Sequence, residues 1–348
     1  MNEYNIIKAD IKRDKNLIIS LLKSDNRKIS SEIYDWKYFN YPYGLPQAWI
    51  LVHNSKNNPI GCGALFRREI SCNGEKVIVA NTADLVVDKK YRSLYPAIKL
   101  GEKIIAESEK SGYEFIYSYM NEPSKNLYTR LGYKKIGNYK MLIKILNAKN
   151  ISNKYLPGIM HNSIMKKSAD FFSYFLSKEF IKFNKKHYKT LILDTFDNRI
   201  DSFWCLAAKN YRILSSRTKN YLTWRYTDHP FNNYKLFCIL NKEDIIGYII
   251  FFNLDNLYYI EDIIYIGSKD VLNNLLQNFL RYARVKKAGG AILRIMGDKY
   301  LERTLRKYNF FIIEKAQKQV GLYSNKLPDN SKILNERYWH FLRCDKNV

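Results

Sequence analysis

Tyr34-Asp35-Trp36-Lys37-Tyr38-Phe39-Asn40-Tyr41-Pro42 in the first half of the chain is answered in the second by Tyr221-Leu222-Thr223-Trp224-Arg225-Tyr226-Thr227-Asp228-His229-Pro230. Each stretch reads Trp, a cation, Tyr, then Asn or Asp, then Pro, and the two tryptophans lie 188 residues apart. Further pairs follow in the same order. Asn58 to Phe66 faces Asp244 to Phe252 at an offset of 186, and Ala83 to Val87 faces Glu261 to Tyr265 at 178. Arg130 to Tyr133 faces Lys307 to Phe310 at 177. Ordered pairs with slowly shrinking offsets are the mark of an internal duplication.

Within a copy the pattern alternates. Leu17 to Leu22 predicts a helix, and the Trp36 segment a second one ending at Pro42. Ala48 to Val52, Ile60 to Phe66 and Val77 to Val87 predict strands, the first two joined by the polar turn Asn54 to Asn58. Ala97 to Ser108 carries apolar residues at helical spacing; Glu114 to Tyr119 predicts a strand, Ser124 to Leu131 a short helix, and Lys134 to Ile145 a last strand. Strands followed by alternating strand and helix predict a mixed-sheet α/β (α+β) fold. The expected units are 1–147 and 193–348, with a connector over 148–192 that contains an amphipathic, Phe-rich helix from Met165 to Phe180.

Length and composition narrow the class. At 348 residues, two units are the better expectation for one chain. The 29 Tyr, 18 Phe and 5 Trp exclude a disordered chain. No apolar run approaches the ~20 residues of a membrane span, and nothing at the N-terminus predicts export, so a cytoplasmic location is expected. Five scattered cysteines without a CxxC suit free thiols. His53, His161, His187, His229 and His340 show no metal spacing, so no metal is expected. The net charge of +25 admits nucleic acid, a membrane surface or an anionic small substrate. Lys outnumbers Arg 41 to 17 and both are dispersed, so most of the surplus reads as compositional.

Two motifs then resemble a family. Ala83-Asp84-Leu85-Val86-Val87 runs through a basic turn to Arg92-Ser93-Leu94-Tyr95-Pro96-Ala97, which looks like the acyl-CoA-binding turn of the GNAT acyltransferase superfamily, Arg/Gln-x-x-Gly-x-Gly/Ala at a helix start. Unpaired N–H groups there favour a pyrophosphate. Arg92 and Ala97 fit, whereas Tyr95 replaces the central Gly and Pro96 removes one donor. Asn121 to Tyr133 resembles the later Asn-x6-Tyr-x3-Gly-Tyr motif. Together the motifs cover about residues 50 to 145, and the second copy lacks the turn. The resemblance implies tandem GNAT-like domains, the first binding acyl-CoA and the second a degenerate copy that shapes the acceptor site.

It also implies a chemistry: acyl transfer from a thioester to an amine. Leu85, Val86, Val87, Arg92, Ser93, Leu94, Tyr95, Ala97, Ile98, Asn121 and Ser124 are the expected CoA-binding residues. Tyr128 is the expected acid for the leaving thiolate, with Asp84 or Glu69 as base; Glu122 and water also stay open. The tandem opening is similar to bacterial N-acyltransferases acting on dTDP- or UDP-linked amino sugars in surface-polysaccharide (O-antigen/lipopolysaccharide) synthesis, with acetyl or 3-hydroxybutanoyl groups. Trp36, Tyr38, Asn40, Tyr43, Trp224, Arg225 and His229 are the expected acceptor residues. No nucleic-acid partner is expected, and the chain is expected to be a monomer or homodimer. Two other readings stay open: a Fem-type aminoacyl-tRNA-dependent transferase, and a non-catalytic nucleic-acid-binding protein on a decayed GNAT fold.

Overall fold

The computed structural model describes residues 3–91, 93–150, 177–180, 188–328 and 331–346. The first half runs β1 (Tyr4–Lys8), α1 (Lys15–Ser24), α2 (Ser31–Tyr34), β2 (Gln47–His53), β3 (Asn58–Cys72), β4 (Glu75–Val87), α3 (Leu94–Lys110), β5 (Ile116–Met120), α4 (Glu122–Arg130) and β6 (Lys134–Ile145). The second repeats it as β7 (Lys189–Leu193), α5 (Arg199–Asn210), β8 (Ile213–Ser215), α6 (Lys219–Leu222), β9 (Tyr234–Asn241), β10 (Asp244–Leu254), β11 (Leu257–Tyr265), α7 (Lys269–Val285), β12 (Gly290–Gly297), α8 (Lys299–Lys307) and β13 (Phe311–Tyr323), followed by β14 (His340–Phe341). The expected elements of the first copy are present within a few residues; β3 is longer, reaching Cys72. The expected helix from Met165 lies mostly outside the described residues, and its end, Lys178–Phe180, is a 3₁₀ turn.

All the strands join one sheet, ordered β1-β2-β3-β4-β5-β13-β6-β12-β11-β10-β9-β7, with β8 on β3 and β14 on β12. The halves interlock by exchanging their last strands. β13 pairs with β5 of the first half, β6 pairs with β12 of the second, and β6 and β13 pair with each other at the centre. Parallel pairs occur at equivalent places, β4 with β5 and β11 with β12.

The duplicated tryptophan segments meet on this pseudo-twofold. After α2 and α6 the chain widens into π-helical turns, Asp35–Phe39 and Thr223–Thr227, closed by Asn40 N–H to Asp35 O and Asp228 N–H to Thr223 O. Trp36 Nε1 donates to Trp224 O at 2.6 Å and Trp224 Nε1 donates to Trp36 O at 2.8 Å. The rings stack at 4.9 Å and 13°. Buried indole N–H groups need an acceptor, and here each repeat supplies the other's.

Apolar spacing explains the outer layers. Leu100, Ile104 and Ile105 of α3 pack on Trp49, Leu51, Ile60 and Ala80 of the sheet, while Leu272, Leu275, Leu276 and Phe279 of α7 cover β9 to β12. A Cβ at Gly101 would collide with the Leu131 side chain, so this glycine sets how closely α3 meets the end of α4. Among the described residues no helix is long and apolar enough to cross a membrane.

Trp36→Ala and Trp224→Ala should each lower unfolding free energy by about 3–5 kcal/mol, and the double variant by clearly less than the sum, because the residues are in direct contact. Urea denaturation of the three variants measures this. Additive losses would show that the rings act separately.

Candidate functional site

The site begins where β4 and β5 part. They pair only at Ala80↔Ile116 and Asn81↔Tyr117. Asn81 Nδ2 then donates to Tyr117 O at 3.0 Å, bridging the point of divergence. Beyond it a cleft of ≈ 750 Å³ opens, lined by Asn81 to Val87 of β4 and by Ser118, Tyr119 and Asn121. The α3 start (Ser93, Leu94, Ala97), Tyr128 of α4, and Trp36, Lys37, His229 and Lys346 complete its wall.

A bulge shapes the β4 edge. The register with β3 shifts between Cys62↔Val86 and Ala64↔Ala83, and Asp84 sits at φ +55°. That conformation, tolerated by Asp better than by most residues, turns the carboxylate into the protein. It accepts from Lys37 Nζ (2.7 Å to Oδ2), from Tyr38 OH at 2.7 Å and from Arg27 Nη1 at 3.0 Å. Arg27 also donates to Leu85 O at 3.1 Å. Burial alone would raise the Asp84 carboxyl. The charges of Lys37 and Arg27 and the bonds from Lys37 and Tyr38 reverse this and hold it below the usual carboxylate range. Asp84 therefore braces the bulge as a saturated carboxylate, with little basicity left for an incoming proton.

The rim is suited to an anion. Ser93 caps α3 without a side-chain bond, and the first helical turn holds no acid. With Ser93 as the cap, the Leu94 and Tyr95 N–H groups precede the first intrahelical bond, while Pro96 has none to offer. Tyr95 is half exposed, its ring 6.0 Å from that of Tyr4 and its face under Lys99 at 5.6 Å, so the side chain standing at the motif's glycine points away from the turn. Ile98 packs inward against the sheet. Arg92 lies outside the described residues. Asn121 and Ser124 line the cleft but satisfy each other: Asn121 Oδ1 accepts from Ser124 N at 3.0 Å, and Ser124 Oγ accepts from Asn121 N at 3.1 Å.

Tyr128 faces the cleft from α4, edge-on to Tyr133 at 4.8 Å. Burial raises its hydroxyl above the ordinary value against a lowering bond from Ser118, so it keeps its proton through neutral pH. His229 sits edge-on to Trp36 at 4.6 Å, its Nδ1 accepting from Phe231 N and Asn232 N. Burial first, then Arg225 and Arg343, press it down to about 4, leaving it neutral at physiological pH.

Several expected residues stay outside the cleft. Glu69 lies opposite Ile78, well before the divergence, because β3 carries it past Phe66; it pairs there with Lys76 at 2.7 Å and Arg67 at 3.4 Å. Tyr38 stacks on Tyr34 at 4.3 Å and spends its hydroxyl on Asp84. Tyr43 stacks on Tyr221 at 5.7 Å, and Asn40 closes its turn at the surface. Trp224 is held by Trp36, and Arg225 donates to Arg343 O at 2.8 Å. Lys37, Arg27, Asn81 and Lys346 went unmarked in the sequence. Lys37 alone carried a signal, as the repeat partner of Arg225.

The second half has the matching divergence after Ile260↔Leu293, with a bulge at Glu261. There it is filled. β14 pairs with the outer end of β12 (Met296↔Phe341, Gly297↔His340), while His340 Nε2 bonds Ile263 O of β11 at 2.8 Å. Arg217 bridges Asp262 and Asp345 at 2.8 Å each, and Arg343 meets Glu261 at 3.1 Å. The segment 340–345 thus occupies the space that the first half leaves open.

This pairing of a bulged strand, a parting parallel neighbour and a helix start at the rim decides the comparison with solved structures. The fold is that of the GCN5-related N-acetyltransferases. A GCN5-related N-acetyltransferase of Anabaena variabilis superposes with TM-score 0.63 at 16% identity, covering 92% of this chain and 72% of that one. An Enterococcus faecalis protein described as a probable N-acyltransferase gives 0.64 at 11%, covering 93% and 72%. Saccharomyces cerevisiae N-myristoyltransferase with bound myristoyl-CoA gives 0.60 at 13%, covering 100% and 85%. No family model and no curated protein matches the chain. Within this GNAT fold the open cleft belongs to the first copy.

Asp84→Asn should destabilise the protein by about 3–5 kcal/mol, since it strands the buried Lys37 ammonium. The Asp84 carboxyl is lowered by folding, so its contribution is present above the ordinary carboxylate value of about 4 and is lost as pH falls below it. Denaturant midpoints of wild type and variant should therefore converge toward acid pH; a constant gap would show that Asp84 is not ionised in the fold.

Proposed function

We propose that the protein is an acyl-CoA-dependent N-acyltransferase working in the cleft of its first half. The observation that carries this reading is the β4–β5 divergence with an unobstructed α3 start at its rim and Tyr128 across from it. β4 beyond Asn81 is free of β5, so its backbone can hold a thioester carbonyl. The first turn of α3 offers N–H groups to a pyrophosphate. Tyr128, protonated at neutral pH, can give its proton to the departing thiolate. Leu85, Val86 and Val87 supply the apolar wall beside the acyl group. The yeast N-myristoyltransferase neighbour, bound to myristoyl-CoA, shares this fold and supports CoA as the acyl carrier.

The acceptor is an amine that enters from the side of Arg27, Lys28, Trp36, His229 and Lys346, all of which line the cleft. An aromatic face beside several cations suits a nucleotide diphosphate, so we assign the acceptor as the amino group of a dTDP- or UDP-linked sugar, acylated with acetyl or 3-hydroxybutanoyl for surface-polysaccharide synthesis. The resemblance of the Trp36 and Trp224 segments to such enzymes supports that assignment.

Thiol release from acetyl-CoA or 3-hydroxybutanoyl-CoA, followed across a panel of nucleotide-linked amino sugars, tests it. Turnover should appear with at least one sugar, and Tyr128→Phe should lower kcat by about 100-fold. Release with simple amines and none with any sugar would retain the acyltransferase and remove the sugar.

A further inference from the structure

The proposed reaction, on which this inference rests, needs a group that takes a proton from the acceptor amine, and the two carboxylates expected for the task are engaged elsewhere. Glu69 is outside the cleft, and Asp84 is saturated by Lys37, Tyr38 and Arg27. Among the other ionisable groups on the wall, Asp25 meets Arg27 at 3.4 Å, Lys28 is solvated, Tyr119 and Tyr128 hold their protons, and His229 is neutral with Nδ1 occupied.

Lys346 differs from all of these. It reaches the cleft from the far end of the second half, just after the segment that fills the second divergence. It lines the cleft and borders the closely packed cluster of Asn81, Arg68, Arg225 and Asp345. Its Nζ stands 5.0 Å from the Tyr119 ring centre, which also receives Lys318 at 5.4 Å. The charged groups facing it come from every neighbouring element: Arg343 on its own turn, Lys318 on β13, and Lys37 and Arg225 on the two π-helical turns. Glu261 on β11 feels the Lys346 charge, and that carboxylate already meets Arg343 at 3.1 Å. Among the described residues no carboxylate forms an ion pair with Lys346.

We propose that Lys346 is the proton acceptor for the attacking amine. Crowding by like charge and partial burial both disfavour the ammonium form of a lysine. Burial first, then Arg343, Lys318, Lys37 and Arg225, bring this one down to about 8, so a useful fraction is neutral under physiological conditions. The step balances without another reagent. Neutral Lys346 Nζ takes a proton from the acceptor ammonium, and the freed amine lone pair forms the N–C bond to the thioester carbonyl carbon. The C–S bond then breaks with its electron pair on sulfur. Tyr128 protonates the thiolate and recovers a proton from the new amide nitrogen; Lys346 returns its own to solvent. The sum is ammonium plus thioester giving amide, thiol and one proton.

Competitive labelling with acetic anhydride over a pH series, read as the mass of the Lys346 peptide, tests the acceptor without any substrate. Lys346 should become reactive with a midpoint at about 8, and a midpoint among the surface lysines, about 10.4, overturns the proposal. That result stands whether or not an acceptor has been found, so it separates this inference from the assignment of activity. With turnover in hand, kcat/KM should rise with pH through the same midpoint. Lys346→Arg keeps the charge and removes the base; it should lose about 100-fold in kcat with CoA affinity unchanged. Lys346→Cys alkylated with 2-bromoethylamine restores an amine of lower basicity, and should recover turnover with the limb displaced to lower pH. Full kcat and an unchanged pH profile in Lys346→Arg would overturn the proposal and leave the residue a binding charge.

Discussion

The reciprocal bond between Trp36 and Trp224 is the constraint on which the rest of this structure hangs. Each indole N–H can reach the other's carbonyl only if both segments leave the α-helical path in the same way, and both do so by a π-helical turn. Stacking at 4.9 Å then fixes the two copies face to face. The sheet carries the same symmetry outward through the exchange of β6 and β13. Neither half closes its own sheet. The cleft of the first half is consequently built by both, with His229 and Lys346 arriving from the second.

Duplication creates two equivalent divergences, and charge decides their fates. In the first, Asp84 turns inward to Lys37, Tyr38 and Arg27, all within the same half. In the second, Asp262 is claimed by Arg217 and Tyr248, and Arg217 reaches on to Asp345 in the chain's final turn. A buried guanidinium shared by two buried carboxylates is costly to disrupt, so the segment 340–345 is held firmly in the second divergence. The filled copy contributes walls and charge to the open one.

The fold was legible because the duplication left its imprint at short range. The Trp-cation-Tyr stretch, the strand patterns and the helix of Ala97 to Ser108 are local signals, and the elements they predict are present. The strand exchange was not legible, since Lys134 to Ile145 and Phe311 to Tyr323 read as good strands whichever half they join. Among the candidate site residues, Asp84 to Val87 at the β4 bulge, Ser93, Leu94 and Ala97 of the α3 start, and Asn121 and Ser124 of the α4 start line the cleft, as do Tyr128, Trp36 and His229, whereas Tyr95 and Ile98 do not. The aromatic residues around the two tryptophans read as ligand-stacking residues, yet Tyr38 stacks on Tyr34 and gives its hydroxyl to Asp84, Tyr43 stacks on Tyr221, and Trp224 stacks on Trp36 and donates to its carbonyl. Composition cannot separate those uses of a ring. Lys346 was invisible for a different reason: its environment is assembled from five elements, and no run of sequence near it announces a cleft.

Of the two duplicated divergences one is open, the proposed site for acyl-CoA, and the other is filled by the chain itself. Calorimetric titration with acetyl-CoA measures this directly. One equivalent per chain, abolished by Ala97→Trp at the α3 start, is the predicted result. Two equivalents, or one that survives Ala97→Trp, would contradict it.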